Sequence, residues 1–155
     1  FHPENVGRLS LNLPGMVSCT PAGVIELLRR YNLPTRGKKA VVLGRSNVVG
    51  KPVALLLLQE NCTVTVCHSR PGHLPAILGE ADIVVAAIGK AGFVTTDMVK
   101  EGAVIVDVGI NVTDDGIVGD VAPEVAEKAS AFTPVPGGIG TVSNMMMMDA
   151  LTRNL

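Results

Sequence analysis

Short, largely apolar runs recur along this chain, and each is followed by a segment with helical spacing or turn residues. AVVL (40–43), TVTVC (63–67), DIVVAAIG (82–89) and AVIVDVGI (103–110) are the clearest, with SAFTP (130–134) as a shorter fifth. A strand that is apolar on both faces must be covered on both faces, and a parallel sheet between two helical layers does this. The expected fold class is therefore α/β, a doubly wound parallel sheet of about five strands with helices on both faces. Helices are expected from Thr20–Pro21 through VIELLRRY (24–31), over 51–60, 73–81 and 121–129, near 96–100, and over 141–153. DDG (114–116) reads as a turn. Residues 1–19, with Pro, Gly and little periodicity, read as an extended arm.

Such sheets bind ligands beyond the carboxyl ends of their strands, near the point where strand order reverses. The loops of interest thus follow residues 43, 67, 88, 108 and 133. In the first, GRSNVVGKP (44–52), five residues separate Gly44 from Gly50. An ATP or GTP phosphate loop needs four, and a hydroxyl residue after its lysine, whereas Lys51 is followed by Pro52. The GxGxxG dinucleotide pattern is absent too, but its physics is retained. Gly44 lets backbone approach a ligand, Gly50 opens a helix whose amides and dipole favour an anion, and Arg45 and Ser46 can donate to phosphate. A plain strand–helix turn with an exposed arginine would look the same.

At the next strand end, VTVCHSRPG (64–72) lacks the carboxylate that holds the ribose of NAD. His68, Ser69 and Arg70 can all donate to a phosphate instead. If this edge binds a dinucleotide, it prefers NADP to NAD; a solvated polar turn is the alternative. GGIGTVS (137–143) nearly matches the glycine pattern but has too few residues after it to complete such a unit. It stays open as backbone facing a substrate.

Composition excludes several other classes. A formal charge of −1 argues against nucleic-acid binding. No apolar run reaches the roughly 20 residues that span a bilayer, and residues 1–25 do not read as a signal peptide. Cys19, Cys62 and Cys67 are odd in number and form no CxxC pair, which points to reduced thiols and a cytoplasmic location. No metal site is expected.

Taken together, FHPENVGRL (1–9), CTPAGVIELL (19–28), GRSNVVGKP, TVTVCHSR (63–70), VIVDVGIN (104–111), GDV (119–121) and TPVPGGIG (133–140) resemble the bifunctional methylenetetrahydrofolate dehydrogenase/methenyltetrahydrofolate cyclohydrolase family over essentially the whole chain. The resemblance implies a Rossmann-type NADP-binding domain at 21–155. Residues 1–20 would be a connecting arm from a missing amino-terminal catalytic domain. It implies oxidation of 5,10-methylenetetrahydrofolate with NADP, hydrolysis of the product to 10-formyltetrahydrofolate, and a homodimer. It places Gly44, Arg45 and Ser46 on the cofactor, Ser69 and Arg70 near its 2′-phosphate, and Ile110 near the nicotinamide. Val135, Pro136, Gly137, Gly138 and Ile139 would face the folate.

The family usually continues PGG(V/I)GPMT, where this chain has Thr141, Val142 and Ser143; Ser143 keeps a hydroxyl for a ligand contact. The family's catalytic Tyr-x-x-x-Lys pair is absent, since Tyr31 is the only tyrosine and no lysine lies four residues beyond it. No catalytic residue is therefore assigned, and the chain alone is expected to bind NADP and turn over nothing. Asp107 reads as a turn or ribose-bonding residue, Asp120 as a helix cap, and His68 as a polar strand-end residue rather than a general base. Four consecutive methionines, Met145–Met148, read as a helix buried on both sides. Two rivals stay open: another two-domain NADP dehydrogenase of the shikimate dehydrogenase type, and a non-enzymatic nucleotide-sensing module.

Overall fold

The computed structural model describes residues 1–68 and 72–153. In chain order it comprises α1 (Pro3–Ser10), α2 (Cys19–Arg30), β1 (Lys39–Leu43), α3 (Gly50–Gln59), β2 (Thr63–Cys67), α4 (Leu74–Gly79) and β3 (Ile83–Ala86). A 3₁₀ turn (Thr96–Met98), β4 (Val104–Asp107), β5 (Asn111–Thr113), β6 (Gly116–Val118), a second 3₁₀ turn (Pro123–Glu127), β7 (Ala131–Phe132) and α5 (Ile139–Arg153) follow.

Five strands form one parallel sheet in the order β2-β1-β3-β4-β7, and β5 and β6 pair as a separate antiparallel hairpin. The chain leaves β1 towards β2 on one side and returns to β3 on the other, so the switch point lies between β1 and β3. Successive residues of each strand point to opposite faces. Ala40, Val42, Ile83, Val85, Val104 and Val106 meet α2 and α3 through Val24, Leu28, Val53 and Leu57. Val41, Leu43, Val84, Ala86 and Ile105 meet α4 and the second 3₁₀ turn through Leu74, Leu78 and Val125. The doubly wound α/β reading therefore describes the molecule.

Several expectations are corrected. Residues 3–10 of the supposed extended arm are helical. Pro3 fits the first turn, His2 Nδ1 accepts from the Glu4 N–H at 3.3 Å, and Arg8 bonds Glu4 one turn away. Leu9 is buried, and its carbonyl accepts from Gln59 Nε2 at 2.8 Å, tying α1 to the end of α3. The runs expected at 82–89 and 103–110 pair only over Ile83–Ala86 and Val104–Asp107, and a hairpin turns around DDG. The helices expected at 96–100 and 121–129 are 3₁₀ turns. The methionine-rich face of α5 is not buried: Met145 and Met148 are 56% and 60% exposed. Among the described residues, no helix is long and apolar enough to cross a membrane.

Candidate cofactor site

The carboxyl edge of the sheet gathers the loops after β1, β3, β4 and β7. The first is built around two glycines that only glycine can satisfy. Gly44 has φ +127°, and a Cβ there would sit 2.1 Å from the Ala87 carbonyl oxygen. The backbone of β1 thus leaves the sheet pressed against that of β3, at the switch point. A Cβ on Gly50 would lie 2.3 Å from the Gly44 carbonyl oxygen, so the loop closes on its own start.

Between them, Arg45, Ser46, Asn47 and Val48 are exposed. Ser46 Oγ accepts from the N–H groups of Val49 at 3.0 Å and Gly50 at 3.3 Å, which satisfies orphan donors at the start of α3. The Ser46 hydroxyl, expected to donate to phosphate, thus also shapes the loop through its oxygen. Lys51 Nζ donates to Asn47 Oδ1 at 2.8 Å. No described residue accepts from the N–H groups of Arg45 to Val48. A close backbone approach, unoccupied amides, a helix start and an exposed arginine suit the pyrophosphate of a dinucleotide. Ser69 and Arg70 lie outside the described residues.

Farther along the edge, Ile110 is 65% exposed and lines a pocket of about 260 Å³ with Val135, Pro136, Gly137 and Gly138. The Val135–Pro136 peptide is cis. Ile110 and the 135–138 segment, distant in sequence, thus meet at one pocket. Ile139 borders it too, yet at 3% exposure it belongs to the core with Val24 and Ile25, a departure from the expectation that it faces a substrate. Ser143 also departs from expectation. Its hydroxyl donates to the Ile139 carbonyl at 2.8 Å and lies 3.0 Å from Thr20 Oγ1, so it joins α5 to α2. A neighbouring pocket of about 410 Å³ is lined by Gly92, Asp107, Gly119, Val121, Pro134 and Val135.

The residues that sequence reasoning underrated are Asp107 and Asp120, at 1% and 0% exposure. Asp107 Oδ1 accepts from the N–H groups of Gly109 at 2.9 Å and Asp120 at 3.0 Å, and Oδ2 from Val121 at 2.9 Å. Burial raises the Asp107 carboxyl above its ordinary range, while these N–H groups pull the other way. Asp120 does not cap the following turn. Its Oδ2 accepts from Ile88 at 2.7 Å and Gly89 at 2.9 Å, and its Oδ1 from Lys90 and from Asn111 Nδ2, both at 2.9 Å. The signal that would have found this pair is glycine beside each: a Cβ on Gly109 would lie 2.2 Å from Asp120 Oδ1, and one on Gly119 1.9 Å from Asp107 Oδ2. Burial also pushes the thiols of Cys62 and Cys67 up, which leaves them poor nucleophiles.

Residues 18–155 match the model of the family described as tetrahydrofolate dehydrogenase/cyclohydrolase, NAD(P)-binding domain. The bifunctional protein FolD of Desulfovibrio desulfuricans is 60% identical over 153 residues, covering 96% of this chain and 54% of that protein. Among solved structures, the bifunctional FolD methylenetetrahydrofolate dehydrogenase/cyclohydrolase of Campylobacter jejuni superposes with a TM-score of 0.93 at 46% identity, over 96% of this chain and 54% of that one. The Trypanosoma brucei enzyme, solved with NADP and an inhibitor, gives 0.88 at 42% identity over 95% and 54%. The chain thus spans about half the length of the relatives it matches. With the glycine-built loop at the switch point and the family match over nearly all of its length, the chain belongs to the NAD(P)-binding domain family of the tetrahydrofolate dehydrogenase/cyclohydrolases.

Proposed function

We propose that this chain is the NADP-binding half of an enzyme that oxidises 5,10-methylenetetrahydrofolate to 5,10-methenyltetrahydrofolate and hydrolyses that product to 10-formyltetrahydrofolate. The observation that carries the reading is the Gly44–Gly50 loop at the switch point, in a chain 46% identical to a solved bifunctional methylenetetrahydrofolate dehydrogenase/cyclohydrolase. These relatives do not favour the shikimate dehydrogenase type or a sensing module.

Bound NADP supplies the acceptor for the hydride that leaves the methylene bridge. This chain's part is to bind and orient. Gly44, Arg45 and Ser46 receive the pyrophosphate and adjoining ribose, and Ser69 and Arg70 read the 2′-phosphate. Ile110 packs by the nicotinamide, and Val135 to Gly138 line the folate side of the cleft. Holding two reactants in register supplies much of the rate enhancement of such a transfer. The acid–base groups for hydrolysis come from an amino-terminal domain, which also covers the methionine face of α5. A homodimer in the cytoplasm completes the reading, and the three free thiols suit that location.

Calorimetric titration with NADP and NAD tests the cofactor, and a methylenetetrahydrofolate assay of the full-length protein tests the reaction. NADP should bind more tightly than NAD. Arg70→Ala should weaken NADP about tenfold or more while changing NAD much less, as expected for loss of charge-assisted bonds to the 2′-phosphate, whereas Arg45→Ala at the shared pyrophosphate should weaken both. Equal or tighter NAD binding overturns the 2′-phosphate assignment.

A further inference from the structure

We propose that Asp120 is a positioning residue that locks the loops after β3 and β4 into one rigid floor beneath the nicotinamide end of the cofactor; this rests on the cofactor reading above. Three consecutive N–H groups, of Ile88, Gly89 and Lys90, converge on its carboxylate. Such a nest of amides is a common phosphate cradle. Here a side chain of the protein fills it, so the loop after β3 is set in place and closed to ligand phosphate. The pyrophosphate is thereby left to the loop after β1, where no described residue accepts from the N–H groups of Arg45 to Val48.

Asp120 also reaches the second loop. Asn111 Nδ2 donates to its Oδ1, and Gly109 packs without a side chain against its carboxyl group. On the other flank, Gly109 donates its N–H to Asp107. Ile110 stands between these two anchored neighbours, so its exposed side chain is presented on a backbone held from both sides. Among the described residues, no Lys or Arg forms an ion pair with Asp107 or Asp120. The charge of Asp120 is met by N–H donors drawn from the two loops it joins, which makes their relative position the quantity it controls.

The test divides the cofactor. Titration of the full-length protein with NADP and with adenosine 2′,5′-bisphosphate, which lacks the nicotinamide half, compares wild type with Asp120→Asn and Asn111→Ala. Circular dichroism confirms that each variant is folded. Asp120→Asn should weaken NADP about tenfold and Asn111→Ala about threefold, while the bisphosphate changes by less than about twofold, the scale of losing bonds to a charged and a neutral group at one end only. Should Asp120→Asn fail to fold, Asn111→Ala decides by the same criterion. Equal weakening of both ligands marks a merely structural role and overturns the proposal, as does a folded variant that binds both normally. A wild-type protein that held neither ligand would refute the cofactor reading, and the positioning role with it.

Discussion

Individual residues in this chain are constrained chiefly by what lies within 3 Å of them. Gly44 and Gly7 make the contrast. At Gly44 a side chain would meet the Ala87 carbonyl and φ is +127°, whereas at Gly7, inside α1, nothing lies within 4 Å. Gly44→Ala should therefore lower Tm by about 5 °C or more, and Gly7→Ala should raise stability by up to about 1 kcal/mol through helix propensity. Differential scanning calorimetry of the two variants separates close approach from backbone entropy. The glycine pair was legible from sequence because spacing alone excluded the other phosphate loops. The Asp107–Asp120 arrangement was not, because a buried carboxylate and a helix cap look alike until the donors are located.

At the scale of elements, the amino ends of β1 and β3 are tied together by Asp82. Its carboxylate accepts from the Lys39 N–H at 2.8 Å and pairs with Lys100. The Lys100 bond, then the Lys39 N–H, hold the Asp82 carboxyl below its ordinary range. A carboxyl depressed on folding stabilises the native state above its unfolded pKa, and that stabilisation fades as pH falls through the native value. The stability difference between wild type and Asp82→Asn, from urea melts, should be constant above about pH 5 and shrink progressively below about pH 4. A difference that stayed flat to pH 2 would contradict this assignment. Element type was legible where apolar runs were long, and strand ends were not. β4 stops at Asp107 because that side chain captures the N–H of Gly109. β7 keeps only two residues although its flanking sequence reads as strand. Helix α1 was missed because Pro and Gly7 mask a short helix begun by His2 and Pro3 and braced by Glu4 and Arg8.

Across the whole molecule, the inner strands β1, β3 and β4 are covered on both faces while α5 presents Met145, Met147, Met148 and Leu151 to solvent. If an amino-terminal domain covers that face, dilute peroxide should oxidise Met145 and Met148 readily in this chain alone and several-fold more slowly in the full-length protein. Peptide mass spectrometry reads the ratio; equal rates would place the covering surface elsewhere. At the opposite extreme of accessibility sits the reciprocal packing of Gly109 on Asp120 and Gly119 on Asp107. It has a consequence for how the sequence can change over generations. Enlarging either glycine strikes the carboxylate of the opposite segment, and shrinking either aspartate strands several buried N–H groups, so the four positions are strongly epistatic. Drift at any one of them is blocked unless its partner changes first. This corner of the domain can then keep its shape while the exposed loop residues around it diverge.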